Sequence, residues 1–239
     1  MGEKQNLVIN GSGSYGGGAY HKIKIHGEGT ITADFHCDTF KTYGTSSALK
    51  SGEARKFTIF GETVIHGNLT CEEMKIFGTA NVGGSAIIEK ASVFGTLDVG
   101  ESFQGEEANI KGSLSVKGDT EFEKFNSTGN FHIGGLLNAD SIQISLRFDT
   151  SKADEMGGNK ITVKKKSAIF PFFKGEGTLE ARMIEGDEIS LENTKADIVR
   201  GRTVVIGTGC DIKLVEYESK LTVDKDSTIL EQRKTGKVL

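Results

Sequence analysis

A chain of 239 residues, 36% hydrophobic and 26% charged, can bury one large or two small cores, neither of them rich. Its formal net charge of −4 removes the electrostatic case for nucleic acid as the main partner. There is no apolar run near the ~18 residues of a membrane-spanning helix, no basic-then-apolar leader, and no myristoylation pattern, since Asn6 stands where Ser or Thr is needed.

The unusual composition is 32 Gly with one Pro and no Trp. That much Gly without Pro calls for many tight turns or close backbone approaches. The cysteines, Cys37, Cys71 and Cys210, are odd in number and widely spaced. They read as reduced thiols in a cytoplasm, not as a disulfide framework or a zinc site.

Residues 1–20 read as a flexible Gly-rich segment. "GSGSYG" (11–16) matches a dinucleotide fingerprint in letters only. The stretch "YHKIKIHG" beyond it alternates like a strand and offers no helix N-terminus for a pyrophosphate.

Residues 21–148 carry a repeat. Gly27, Gly44, Gly61, Gly78, Gly95, Gly112 and Gly129 stand 17 apart. Cut at that period, the chain forms apolar columns. One runs Ile23, Phe40, Phe57, Met74, Ala91, Ala108, Phe125, and another runs Ile31, Ala48, Ile65, Val82, Val99, Val116, Ile133. Apolar and polar positions alternate within each repeat, which is strand period. The expected fold is all-β: a parallel β-helix, or β-solenoid, with a 17-residue coil of three short strands. Such a unit cannot bury its inner face alone, but a stack of them can. Cys37 and Cys71 fall two coils apart, roughly 9–10 Å, too far for a disulfide.

Two charged columns flank the repeat. Lys56, Glu73, Lys90, Glu107 and Lys124 alternate in sign, which favours direct stacking and fixes register. Glu72, Glu89, Glu106, Glu123 and Asp140 come after Arg55 and are all acidic. That stripe reads either as a solvated edge or as a surface for cations or a basic partner. A third column, Tyr43, Phe60, Phe77 and Phe94, sits at a Gly corner, where alternation points it outward. It is a structural stack or a lateral contact.

After Ile144 the register ends, and residues 149–178 read as a connector. Within it, "KKKSAIFPFF" joins Lys164, Lys165 and Lys166 to Phe170, Phe172 and Phe173. This segment is a candidate contact for an anionic membrane surface or a partner. Its alternative is a connector whose rings pack on the solenoid. Strand alternation returns in a less regular β-helical part at 179–232, before a charged tail at 233–239.

The phrases "IHGEGTITADFHCDTF", "VIHGNLTCEEMKIFG", "IEGDEISLENTKADIVRG" and "IGTGCDIKLVEYE" resemble the bactofilins, in a longer variety like that of Gram-positive bacilli. The resemblance covers most of the chain. It implies a right-handed β-helix that polymerises end to end without nucleotide or cofactor, and scaffold roles in cell shape, motility or localisation of envelope proteins. It implies a cytoplasmic protein that can associate with the membrane, and no catalytic residues. The long second half departs from the short members and puts simple end-to-end stacking in doubt.

Solenoid ends expose unpaired backbone and apolar side chains, so they must be capped or used. Ile23, Ile25 and Ile31 at one end, and Leu221, Val223 and Ile229 at the other, are the candidate assembly residues. A non-polymerising adaptor that displays the aromatic column is the alternative. A hexapeptide-like acyltransferase is a minor one, because His21, His26, His36, His66 and His132 are scattered and the coil is not built in sixes. No triad or metal-ligand grouping emerges.

Overall fold

The computed structural model describes residues 4–147, 149–166 and 177–236. Two compact units divide the chain, Met1–Gly118 and Asp119–Leu239. Both are parallel β-solenoids, and no helix occurs among the described residues.

The first unit opens with β1 (Gln5–Ile9), β2 (Ser12–Tyr15), β3 (Gly18–Ile25), β4 (Glu28–Ile31), β5 (Phe35–Thr42) and β6 (Thr45–Ala48). It continues with β7 (Gly52–Ile59), β8 (Glu62–Ile65), β9 (Leu69–Ile76), β10 (Thr79–Val82) and β11 (Ala86–Val93). It closes with β12 (Thr96–Val99), β13 (Phe103–Gln104), β14 (Glu107–Ile110) and β15 (Ser113–Val116). Long strands β3, β5, β7, β9 and β11 pair in parallel, as do short strands β4, β6, β8, β10, β12 and β15. Phe40 registers on Phe57, and Phe57 on Met74, so the 17-residue step is the coil.

Two of the three expected strands are fused into one eight-residue strand with a bend. In β9, Glu72 and Glu73 both face away from the core, which breaks the alternation once. The next coil but one separates the halves into β13 and β14. Inward residues stack on their counterparts: Phe40 and Phe57 lie face to face with centroids 4.4 Å apart. Each fully buried Phe or Ile contributes about 1.5–3 kcal/mol, so the columns hold the unit together.

The Gly column answers to close approach, not to positive φ. A Cβ on Gly61 would lie 2.0 Å from the Gly44 carbonyl oxygen, and one on Gly78 2.0 Å from that of Gly61. Another corner is stitched by side chains. The Ser51 N–H donates to the Asp34 carboxylate (2.9 Å), the Asn68 N–H to the Ser51 hydroxyl (3.1 Å), and the Ser85 N–H to the Asn68 amide oxygen (3.0 Å).

The expected flexible segment 1–20 is instead a coil from β1 onward. Leu7 pairs with Ile23 and Gly13 with Gly29, a step of 16. One residue fewer placed this coil outside the 17-residue columns. "GSGSYG" is part of it, and the Gly11 carbonyl accepts the Glu28 N–H at 2.9 Å.

The second unit stacks β16 (Thr120–Ser127), β17 (Asn130–Leu146), β18 (Thr150–Lys165), β19 (Thr178–Leu191), β20 (Thr194–Ile206), β21 (Asp211–Val223) and β22 (Thr228–Lys234), each parallel to the next. Coil length now varies: Ile142 pairs with Ile161, Ile161 with Ile189, and Ile189 with Val204. The expected connector 149–178 therefore contains a full coil strand. Ser151, Ala153 and Met156 point inward there, small or soft residues that left no apolar signature. The 179–232 part does not begin anew either, because β19 pairs with β18 along its length. The division between units falls at 118/119, not at 148.

Candidate functional site

The outward aromatic column is a continuous ladder. His26 stacks on Tyr43 at 4.9 Å, Tyr43 on Phe60 at 5.1 Å, Phe60 on Phe77 at 5.0 Å and Phe77 on Phe94 at 4.9 Å, all within 5° of parallel. Tyr43, Phe60, Phe77 and Phe94 keep 42–46% of their surface exposed. Their faces are spent on one another, so solvent meets a ridge of ring edges. Lys41 lies over Tyr43 and Phe60 at 5.2 and 5.1 Å, Lys24 over Tyr43 at 5.6 Å, and Lys111 over Phe94 at 4.8 Å. A hydrogen bond with Lys41 is the main cause that lowers the pKa of the Tyr43 hydroxyl. The sequence reading missed His26 and Lys111 as the two ends of the ladder. Both fall in the same column of the 17-residue repeat.

The acidic stripe borders the same face. Glu72, Glu89 and Glu106 are exposed where the long strands bend. Next to it, Lys56 reaches Glu73 across one coil at 3.5 Å, and Lys75 also pairs with Glu73. The Lys75 contact, first among the causes, holds the Glu73 carboxyl below the usual range. Lys90 registers between Glu73 and Glu107, so the alternating column places opposite signs on neighbouring coils. Asp38 is bound by His21 (2.7 Å) and Lys4 (3.1 Å), and these hydrogen bonds, that of His21 first, lower its pKa.

The candidate end residues separate. Ile23, Ile25 and Ile31 are fully buried, because β1 and β2 form a coil over them. They are core, and the outermost described coil at that end carries Leu7 in the Ile23 column. At the other end the apolar positions are partly open to solvent. Leu221 and Ile229 are half-buried, Val223 is 41% exposed and Leu230 74%. β22 pairs with Asp211–Tyr217 of β21, and among the described residues no later strand pairs with Lys220–Val223. Val204 and Ile206, one coil below in the same columns, are fully buried.

Two relatives cover nearly the whole chain. It is 56% identical over 229 residues to the uncharacterized protein YhbF of Bacillus subtilis (strain 168), spanning 96% of this chain and 97% of that one. It is 54% identical over 227 residues to the uncharacterized protein YhbE of the same organism, spanning 94% and 96%. The chain belongs to the YhbF/YhbE family. No protein-family model and no solved structure matches it.

In this YhbF/YhbE-family chain the second unit carries charge ladders that composition did not reveal. Arg200 donates to Glu185 (3.3 Å) and Glu216 (2.9 Å), and Arg233 donates to Glu216 (3.1 Å), one coil per step. The Glu216 side chain is only 10% exposed. Lys152–Glu180 (2.8 Å) and Asp197–Lys213 (2.7 Å) repeat the pattern in other columns. A groove floored by Gly158, Gly186 and Gly201 runs beside Arg200 and Arg202, whose guanidiniums are already paired with Glu185 and Asp187.

All three cysteines are buried and unbridged. Burial pushes the Cys37 and Cys71 thiols up to about 12, and raises Cys210 as well. They are inert packing groups in this state. Among the described residues no group of three or more His, Cys, Asp or Glu is placed to hold a metal ion. Among them, too, no helix is long and apolar enough to cross a membrane. Lys164 and Lys165 end β18, where the Lys165 N–H donates to the Glu192 carboxylate at 2.7 Å, and Lys166 comes next. Phe170, Phe172 and Phe173 lie outside the described residues.

Proposed function

We propose that this chain is a non-enzymatic scaffold protein that assembles end to end through its solenoid edges, without nucleotide, in the manner its bactofilin resemblance implies. The observation that carries this reading is the uncovered C-terminal edge. Leu221 and Val223 occupy inward columns, yet no described strand lies over them. An edge strand left flat and apolar is a template for another chain. The first coil offers the complementary edge, with Leu7 in the inward column. Parallel strands within the chain make head-to-tail addition a continuation of the same ladder.

Such a polymer would serve as a cytoplasmic support for cell shape, motility or the placement of envelope proteins. Three buried, unbridged thiols support a reducing compartment. Negative-stain microscopy of the purified chain tests the reading, with Leu7→Lys and Val223→Lys as end-blocking variants. Filaments in the wild type and short particles in the variants are expected. Unchanged particles in all three would sink it.

A second reading, a non-polymerising adaptor, draws on the exposed aromatic ladder. Light scattering on dilution separates the two, since only a polymer loses mass as it is diluted.

A further inference from the structure

A coil has three sides: the short strand, then the first and second halves of the long strand. Strand pairing and the 17-residue step carry each coil position from the first described strand to the last. Leu7 holds the position of Ile23 and, in 17-residue steps, of Phe125. Pairing in the second unit carries Phe125 to Leu221, and Ile9 likewise answers to Val223. Tyr15 holds the position of Ile31, Ile133 and Ile229, and Gly18 that of Phe35, Thr120 and Gln232.

The winding order then matches at the two ends. β21 finishes on the second half of the long strand, Lys220–Val223. β22 lays the short side and the first half over Asp211–Tyr217. The next side due is a second half over Lys220–Val223, and β1 is a second half, paired through Asn6–Ile9 with Lys22–Ile25.

We infer that Asn6–Ile9 of a second copy adds in parallel to Lys220–Val223, in the register Asn6 on Lys220, Leu7 on Leu221, Val8 on Thr222 and Ile9 on Val223. This rests on the end-to-end reading and names the strands, register and polarity of its joint. The inward residues select it. Leu7 and Ile9 close over Leu221 and Val223, Tyr15 over Ile229, and Gly18 leaves room for Gln232. Outward, Asn6 meets Lys220, Ser14 meets Thr228 and Ala19 meets Arg233, so no like charges are opposed. Gln5 and Lys234 fall together at the corner where the two chains meet, and both are exposed, able to turn outward. All described strand pairs within the chain are parallel, and this joint keeps that direction.

The other polarities leave apolar positions unsatisfied. In a tail-to-tail pair the two β22 strands meet first, because β22 stands above the level of Lys220–Val223. Leu221 and Val223 then face either a gap or Gln232 of the second copy, in a strand that also carries Glu231, Arg233 and Lys234. A head-to-head pair covers β1 and leaves Lys220–Val223 an open, apolar edge.

Cysteines placed in register read the joint. Val8 and Thr222 are exposed, and the native cysteines are buried. Registered neighbours on adjacent strands stand about 4.8 Å apart, within reach of a disulfide. Val8→Cys and Thr222→Cys proteins are mixed, oxidised with copper phenanthroline and separated on a denaturing gel. A disulfide-linked dimer is expected from the mixture, several-fold above either protein alone. Val205 lies one coil below Thr222, so Val205→Cys mixed with Val8→Cys should give no dimer. A dimer from Thr222→Cys alone means tail to tail, and one from Val8→Cys alone means head to head. Either overturns the joint, as does an absence of disulfide in the mixture while sedimentation shows large species. A wild type that sediments only as monomer overturns the end-to-end reading itself.

Discussion

The carbonyl oxygen of Gly44 lies 2.0 Å from where a Cβ on Gly61 would stand. Backbone meets backbone at this corner, and no flexible side chain can give way. Gly61→Ala must push the coils apart, at a cost of about 3 kcal/mol, the upper range for overpacking. At Gly11 a Cβ meets nothing within 4 Å, so Gly11→Ala should shift stability by less than about 0.5 kcal/mol. Urea denaturation of the two variants checks the contrast. Equal effects would mean that the corner is not tight.

Inward and outward rings differ in what they hold. Phe57 is buried on the Phe40 ring, and Phe57→Ala should cost about 3–5 kcal/mol. Phe77 stacks outside on Phe60 and Phe94. Phe77→Ala loses two stacks of about 0.5–1.5 kcal/mol each, without a core cavity. Thermal unfolding of both variants, with filament width recorded, separates stability from surface roles.

Glu216 joins two arginines that are themselves about half exposed. Glu216→Gln removes the charge and keeps the shape. The expected loss is about 1–2 kcal/mol, below that of a fully buried pair because solvent screens the arginines. Arg233→Gln leaves the Arg200 contact and should cost clearly less, because the Arg233 guanidinium is solvent-exposed. If the order is reversed, Glu216 does not anchor this ladder.

The thiols give a pH prediction with a definite sign. Cys37 and Cys71 titrate near 12 when folded, against an ordinary value of 9.0. Folding then favours the protonated form. The associated stability is complete below pH 9 and is lost as pH rises toward 12. At pH 8 about one such thiol in ten thousand is a thiolate. A chromogenic disulfide reagent should therefore leave both unmodified in native buffer and titrate all three cysteines in denaturant. Rapid modification of native protein would contradict their burial.

The solenoid was legible where coil length is constant. Gly27 to Gly112 marks corners where carbonyl oxygens touch the next glycine, and only Gly fits, so the period is written in one residue type. The first coil escaped because its step is 16: Gly11 stands under Gly27 but out of phase. Strand β18 escaped for another reason. Its inward positions open with Ser151, Ala153 and Met156, reach Ile161 and Val163 only after a Gly pair, and β19 comes 28 residues on in register. The mistaken assignment of Ile23, Ile25 and Ile31 to an open end stems from missing that first coil. The ladder of Tyr43, Phe60, Phe77 and Phe94 was visible as a column. Alternation pointed it outward, but coordinates were needed to fix its orientation, because a corner residue can also turn in. The Arg200–Glu216–Arg233 ladder was hidden by the changing coil length, which removes the fixed spacing that would align it.

Assembly driven by an uncovered edge is the central claim, and sedimentation of the full chain against concentration tests it most directly. A growing series of large species is predicted for the wild type. Val223→Lys should reduce these to small species while the circular dichroism stays β-rich and unchanged. A single monomeric boundary for the wild type at high concentration would contradict the claim.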